Sequence, residues 1–257
     1  MSQHVRVEKE GSIVSITLAR PERRNAITVA MYSGLAEAVE KAAGDPHVRL
    51  ITFRGEGQDF AAGNDLADFL EAANRSGEEI PVWRFLRALA LCETPLVAAV
   101  HGNCVGIGTT MLLHCDLVVA EEGARFSLPF VDLGLVPEAA SSLLIPRLAG
   151  RRLAARLLLL GEAFGVEEAR SIGLISHVAP AGELLPVLNR VAAALVAKPA
   201  DALRAAQRLL RHGQREEILE RMRMEGAVFS ERLGSAEVKE AITAFFEKRK
   251  PDFSRPG

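Results

Sequence analysis

Two glycine-containing bends carry the residues whose types and spacing could do chemistry. The first is Phe60-Ala61-Ala62-Gly63-Asn64-Asp65. It follows the strand-like run Leu50-Ile51-Thr52-Phe53 and the glycines Gly55 and Gly57, and leads into a helical pattern from Leu66. Asn64 or Asp65 would serve as the N-cap of that helix. The second bend, Gly106-Ile107-Gly108, lies within the stretch Val97 to Val118. There the apolar run Leu96 to Val100 reads as a buried strand, His101-Gly102-Asn103 breaks it, and Thr109 to Cys115 reads as a buried helix. A bend that feeds a helix leaves backbone N–H groups without intrahelical acceptors, at the positive end of the helix dipole. Such donors suit a negatively charged oxygen. Two of them meeting from two bends have the makeup of an oxyanion hole, which stabilises charge developing on a carbonyl oxygen. The plainer alternative is a pair of buried strand–turn–helix units whose glycines serve close packing.

The elements that would position these bends follow from periodicity. Val5 to Glu10 and Ile13 to Leu18, either side of Gly11, predict a hairpin that Pro21 ends. Arg23, Arg24 and Asn25 form a basic, polar corner before a helix over Thr28 to Ala43. Val48 to Phe53 is the next strand, and Leu66 to Leu91 is helix-rich with a break near Ser76, Gly77 and Pro81. Beyond the second bend, Leu117 to Ala120 and Ala124 to Leu128 are strands. Pro137 to Ser142 then opens a short helix with Glu138 in its first turn, where the dipole favours a carboxylate. Pro146 and Gly150 precede an Ala/Leu-rich helix over Arg151 to Leu160; Val166 to Ile172 is helical and capped by Gly173; Ile175 to Val178 is the last strand. From Gly182 the pattern is helical alone: Glu183 to Lys198, Ala200 to His212, Glu216 to Leu233 and Ala236 to Lys248. Strands alternating with helices, then a helical tail, predict an α/β core. The switch divides residues 1–195 from 196–257.

Composition bounds the partners. A chain of 257 residues fits one large domain or two small ones. Apolar residues make up 49%, enough for a sizeable core, but only 5% are aromatic, so Ala, Leu and Val must do most of the packing. A formal charge of −2, with acids and bases interspersed, argues against a nucleic-acid or membrane-surface partner. No apolar run reaches membrane-spanning length, and Met1-Ser2-Gln3-His4 begins no signal pattern. Cys92, Cys104 and Cys115 lie in apolar settings and read as reduced, buried thiols of a cytoplasmic protein. His101, Cys104, His114 and Cys115 match no familiar zinc spacing, so no metal site is expected. The Gly-x-Ser-x-Gly elbow of a serine hydrolase is absent.

Taken in order, several motifs make the chain resemble the crotonase superfamily, the enoyl-CoA hydratases and isomerases. They are Arg20-Pro21-Glu22-Arg23-Arg24-Asn25-Ala26, the first bend through Leu66, the stretch Val97 to Val118, Phe126-Ser127-Leu128-Pro129 with Leu133-Gly134-Leu135-Val136-Pro137, Gly173-Leu174-Ile175, and Phe245 to Phe253. The resemblance covers nearly the whole chain. It implies a spiral of repeated ββα turns with a C-terminal helical trimerisation region, a homotrimer or hexamer, and an acyl-CoA thioester as substrate. Coenzyme A is then part of the substrate, and no separate cofactor is expected. The oxyanion donors would be the N–H groups of Asn64 and Ile107, flanked by Gly63 and Gly106. The segment after Arg20-Pro21 would lie along the nucleotide, where Arg23 or Arg24 either meets a phosphate or stays in solvent. Ala62 would offer its carbonyl to the adenine, beside Asp65 and Leu66, with Phe245 and Lys248 supplied by a neighbouring subunit. Trp83 would either line the acyl pocket or pack in the core.

The same resemblance exposes a departure. Hydratases of this superfamily use two glutamates, and the matching positions here are Thr110 and Phe130, neither a carboxylate. Glu138 stands after Pro137 where hydratases carry glycine. With Val105-Gly106-Ile107-Gly108 in place of a glycine triplet, this looks like the peroxisomal-type Δ3,Δ2-enoyl-CoA isomerases, whose single catalytic carboxylate is that glutamate. The alternative for Glu138 is a solvated first-turn glutamate. Alternative activities are a weak hydratase, another crotonase-type acyl-CoA enzyme, or an RNA-binding homologue without catalysis; the last expects a lysine-rich face that this chain lacks. Isoleucine at position 107 requires a negative φ there, or some strain.

Overall fold

The computed structural model describes residues 3–68 and 81–254. The chain opens with β1 (Val5–Glu10) and β2 (Ile13–Leu18), paired antiparallel about Gly11, whose φ of 57° only glycine adopts freely. Four more strands extend this hairpin into one sheet: β3 (Leu50–Gly55), β4 (Leu96–Val100), β6 (Leu117–Glu121) and β9 (His177–Ala179). The order is β1-β2-β3-β4-β6-β9, parallel from β2 onward. A smaller sheet joins β5 (Asn103–Val105), β7 (Arg125–Ser127) and β8 (Phe164–Gly165). The chain alternates between the sheets. After β3, Ala61 bridges to Cys104 of the small sheet; β4 leads to β5, and β6 leads to β7. Each winding thus lays one segment in each sheet, and the bends lie where it crosses.

The central strands are buried on both faces, as parallel strands covered by helices must be. Alternate residues sort to opposite sides. Ile51, Phe53, Ala98 and Val100 join Leu35 and Val39 of α1 (Val29–Gly44), and Phe85, Leu86 and Leu89 of α2 (Pro81–Leu91), in the main core. Leu50, Val97, Ala99 and Val119 face the other way, onto Leu184, Val187, Leu188 and Val191 of α6 (Leu184–Val196). Thr28 caps α1 by accepting from the Met31 N–H at 3.2 Å. Between β4 and β6 lies α3 (Ile107–Thr110); between β7 and β9 lie α4 (Ser141–Leu159) and α5 (Val166–Ser171).

Three helices close the chain: α7 (Ala200–Leu210), α8 (Arg215–Leu233) and α9 (Ala236–Phe246). The buried face of α8 is Met222, Glu225, Phe229 and Leu233, at helical spacing, and it packs on α2 and α4. Leu209, Leu210, Met224, Val228, Phe245 and Phe246 remain exposed. No helix among the described residues is long and apolar enough to cross a membrane.

Several expectations shift. The strand expected over 48–53 is β3, two residues later. The last strand, expected over 175–178, begins at His177. The helix expected over Thr109 to Cys115 starts at Ile107, makes one α-turn, and tightens into a 3-10 turn over Met111–His114. Gly106 takes the positive φ of 55° at the bend, so Ile107 has an ordinary helical backbone. Pro137 to Ser142 does not open a helix with Glu138 in its first turn: α4 begins at Ser141, and Glu138 precedes it in a turn. Helix α4 continues to Leu159 across a kink at Gly150, where φ is 74° and ψ is 159°. The break expected near Ser76 and Gly77 lies outside the described residues.

Candidate active site

The two bends are clamped together. The Ala61 N–H donates to the Asn103 carbonyl at 3.1 Å, and the Val105 N–H donates to the Ala61 carbonyl at 2.9 Å. Asp59 reinforces this from the side, accepting on Oδ1 from the Asn103 N–H at 2.7 Å and from Asn103 Nδ2 at 2.5 Å. The approach requires glycine at 108, where a Cβ would stand 2.9 Å from the Ala61 Cβ. At Gly63 a Cβ would stand 3.3 Å from the Val105 carbonyl, and φ is 92°. Gly106 is different: a Cβ there would meet nothing within 4 Å, so its φ of 55° and ψ of −118° make the case for glycine.

This clamp sets the direction of two N–H groups. The Ile27 N–H donates to the Gly63 carbonyl at 2.8 Å, and the Asp65 N–H donates to the Ile27 carbonyl at 2.9 Å. In such a parallel bridge the middle residue, Asn64, points its own N–H away from Ile27. Ile107 is the first residue of α3, where an N–H has no intrahelical acceptor. Its carbonyl accepts from the Met111 N–H.

Glu138 is joined to this assembly. Its carboxyl is buried, with Oε1 accepting from the Thr110 hydroxyl and Oε2 without any hydrogen-bond partner. Burial pushes its pKa up from 4.5 to about 8, against the Thr110 hydrogen bond, with the negative charge of Glu225 adding to the rise. The alternative of a solvated first-turn glutamate is therefore wrong for this position. Tyr32, the chain's one tyrosine, is buried beside Asn64. Its hydroxyl donates to the side-chain oxygen of Asn64, and its pKa is raised by burial and then by the charge of Glu138. Tyr32 thus holds the Asn64 side chain, and Thr110, the last residue of the helix that Ile107 opens, holds Glu138.

The turn carrying Glu138 is strained. Ala139 and Ala140 both have left-handed backbones, with φ of 59° and 58°, at a cost of roughly 1–2 kcal/mol each. Three groups hold it. Ser141 returns its N–H and hydroxyl to the Glu138 carbonyl, at 3.0 and 2.5 Å. His114 Nε2 lies 2.9 Å from the Ala139 carbonyl; burial lowers its pKa to about 4, so the neutral ring donates there. Glu225 of α8 accepts on Oε2 from the Ala140 N–H at 2.6 Å, and on Oε1 from the Ser142 N–H at 2.9 Å and the Ser142 hydroxyl. Sequence reasoning misses Tyr32 and Glu225, and meets His114 only as a metal ligand that the spacing rejects. Glu225 left a signal: a charge within the Met222, Phe229, Leu233 stripe. So did Tyr32, a phenol on the apolar face of α1, where a buried hydroxyl needs a partner.

The remaining expected residues divide. Thr110 and Phe130 are buried, and Phe130 begins the 3-10 turn over Val131–Leu133. Pro137 is half-buried before Glu138. Arg23 and Arg24 are both exposed; Arg24 approaches Asp59 at 3.4 Å and accepts the Ala62 N–H on its carbonyl at 2.9 Å. Asp65 pairs with Arg20 at 2.7 Å and accepts from the Asp68 N–H at 3.3 Å, so it caps residues 66–68. Leu66 packs on the main core. Asn25, with φ of 56°, fixes the basic corner by donating to the Glu56 and Asp59 carbonyls at 2.8 Å. Trp83 packs against the main core, the second of its two alternatives. Its ring lies edge-on to Phe229, 6.1 Å between centroids, and against Gly226, and it also lines a cleft with Leu219 and Met222. Phe245 and Lys248 stand exposed at the end of α9, and no described contact joins them to Ala62 within the chain.

Comparison with known proteins agrees with this architecture. A family profile described as enoyl-CoA hydratase/isomerase matches residues 8–256. The chain is similar to the 2,3-dehydroadipyl-CoA hydratase of Escherichia coli strain K12, at 34% identity over 250 residues, spanning 96% of this chain and 97% of that one. It is similar to the 1,2-epoxyphenylacetyl-CoA isomerase of the same strain, at 30% identity over 260 residues, spanning 99% of each. A crystal structure of an enoyl-CoA hydratase/isomerase from Pseudoalteromonas atlantica T6c superposes with a TM-score of 0.92 at 40% identity, covering 98% of this chain and 100% of that one.

Proposed function

The chain belongs to the enoyl-CoA hydratase/isomerase family, with the crotonase fold of an acyl-CoA-processing enzyme, and on that premise we propose that it is a Δ3,Δ2-enoyl-CoA isomerase with Glu138 as its base. The observation that carries this reading is the state of Glu138. It is a buried carboxyl, hydrogen-bonded to Thr110 on the helix that follows the second bend and with one oxygen unpartnered, while Thr110 and Phe130 occupy the positions matched to the hydratase glutamates. Hydration calls for an activated water and a separate acid; isomerisation needs one base that can return what it takes.

In the proposed reaction the thioester oxygen of a 3-enoyl-CoA accepts from the Asn64 and Ile107 N–H groups. Glu138 removes a proton from C2, and the C–H electron pair moves toward the thioester to form a dienolate. The negative charge appears on the oxygen between the two donors, so they bind the transition state better than the substrate. Each donor is worth about 3 kcal/mol. Glu138 then delivers the proton to C4, leaving the double bond between C2 and C3. A base with pKa near 8 is matched to both halves of this transfer. No cofactor beyond the coenzyme A of the substrate takes part. The nucleotide lies over Arg23 and Arg24, with Lys248 and Phe245 contributed by a neighbouring subunit of a cytoplasmic homotrimer.

The test is the product spectrum. The protein should convert 3-enoyl-CoA to 2-enoyl-CoA, and Glu138→Gln should lower kcat by about 10²–10⁴ with KM little changed. Full activity in that variant would remove Glu138 from the chemistry. A second reading, hydration of a 2-enoyl-CoA, is favoured by the activity stated in the Escherichia coli hydratase's name. Hydration of 2-enoyl-CoA faster than isomerisation of 3-enoyl-CoA would select it.

A further inference from the structure

The mechanism above uses Glu138 but does not account for a second buried carboxylate 85 residues beyond its neighbour Ala140. Glu225 lies on α8, within the helical C-terminal region, and is 7% exposed. All of its described hydrogen bonds go to one short segment: the Ala140 N–H, the Ser142 N–H and the Ser142 hydroxyl. We propose that Glu225 is a positioning residue for the proton transfer, holding the Pro137–Ser142 turn in the left-handed conformation that presses Glu138 against Thr110. This rests on the reading of Glu138 as the base.

Three observations carry it. The turn has two successive non-glycine residues at positive φ, a conformation that persists only where surrounding groups over-determine it. The Ala140 and Ser142 N–H groups flank the start of α4, where no residue of the turn supplies a side-chain cap. Glu225 supplies that acceptor from another helix, and a carboxylate at a helix N-terminus also meets the positive end of its dipole. Finally, the helix that brings Glu225 is anchored by Met222 and Phe229 packed into the main core, so the acceptor is fixed from both sides.

The placement has an electrostatic consequence. The groups around Glu138 are Thr110, the Tyr32 phenol and the Glu225 carboxylate, with His114 on the Ala139 carbonyl and Arg221 Nη1 3.4 Å from the Ser142 hydroxyl. His114 is neutral above about pH 4. Burial raises the pKa of Glu225 as well, against its hydrogen bonds to Ser142 and Ala140 and the charge of Arg221; once ionised, it adds to the burial that opposes ionisation of the base.

The experiment compares Glu225→Gln, Glu138→Gln and the double variant in the full-length protein, with 3-enoyl-CoA as substrate. Glutamine at 225 offers one acceptor oxygen where the turn uses two, and carries no charge. The expected result is a kcat lowered about 10–100-fold, the scale of a base displaced by a fraction of an ångström. KM should stay within about twofold. The acidic limb of the kcat/KM profile should move to lower pH, because Glu138 loses its repelling neighbour. In the Glu138→Gln background the second change should have little effect on the residual rate. Wild-type kcat and limb in Glu225→Gln, or an equal loss in both backgrounds, would overturn the proposal while leaving Glu138 as the base. Full activity of Glu138→Gln would overturn both. If Glu225→Gln does not fold, Ser142→Ala removes only the hydroxyl contact; a kcat lowered severalfold at unchanged KM is expected, and an unchanged kcat counts against the proposal.

Discussion

Replacing Glu138 with Gln should stabilise the protein, by an amount set by pH. Burial raises the folded pKa of this carboxyl from 4.5 to about 8. The fold therefore favours its neutral form. The stabilisation from that preference is complete below pH 4.5, is lost as pH rises from there through about 8, and changes no further above. Glutamine is neutral throughout, so the variant's advantage should be near zero at pH 4.5, grow by about 1.4 kcal/mol per pH unit, and level off near pH 8 at about 5 kcal/mol. The geometry keeps other differences small. Thr110 can donate to the amide oxygen as it does to Oε1, and the amide nitrogen takes the place of an oxygen that already lacks a partner. Urea denaturation of both proteins at pH 5, 6, 7, 8 and 9, at matched concentration, measures the difference directly. Two curves separated by a constant offset would mean that Glu138 ionises in the fold as it does in water, and the argument for a tuned base would fail with it.

Three further outcomes are expected. Gly108→Ala places a Cβ 2.9 Å from that of Ala61, and should cost about 1–3 kcal/mol of stability while lowering kcat through the neighbouring Ile107 N–H; thermal melting and steady-state kinetics together check this, and an unchanged kcat removes the clamp from catalysis. Lys248→Ala should weaken binding of a CoA ester by roughly 1–2 kcal/mol; an unchanged affinity in calorimetry takes Lys248 out of the site. The exposed Leu209, Leu210, Met224, Val228, Phe245 and Phe246 form apolar surface suited to burial between subunits; light scattering at micromolar concentration should give a trimer or a multiple of it, and a monomeric mass would refute the assembly.

Elements whose pattern runs over many residues were legible in the sequence. The opening hairpin, α1 and the four C-terminal helices fall close to their expected bounds, because each repeats its apolar period several times. The small sheet was only partly legible. Strands β5 and β8, three and two residues long, offer no alternation to count, and their existence depends on pairing partners far along the chain. The bends were legible because glycines at positions 63, 106 and 108 punctuate apolar runs, though Gly106 alone answers a purely local constraint, Gly63 and Gly108 also clearing the facing bend. The environment of Glu138 was not. Its burial follows from α8 closing over a turn more than eighty residues earlier, and its first-turn placement was overturned by two alanines in a conformation their side chains disfavour. Tertiary contacts override local preference there.

The pair Asn25 and Asp59 ties the Arg20–Arg24 corner to the second bend as a lever. Asn25 grips the Asp59 carbonyl from the Arg20–Arg24 corner, and the Asp59 side chain grips Asn103 at the foot of the second bend. From the corner the path runs by hydrogen bonds through Asn25 and Asp59 to Asn103, and from there along the chain through β5 to Ile107. On the proposed binding mode, a nucleotide seated on the corner would align the donors at the far end. Free energy gained from the non-reacting handle of a long thioester becomes available for orienting its carbonyl. Short thioesters lacking that handle should then suffer in turnover as well as in affinity, since the lever has nothing to set it.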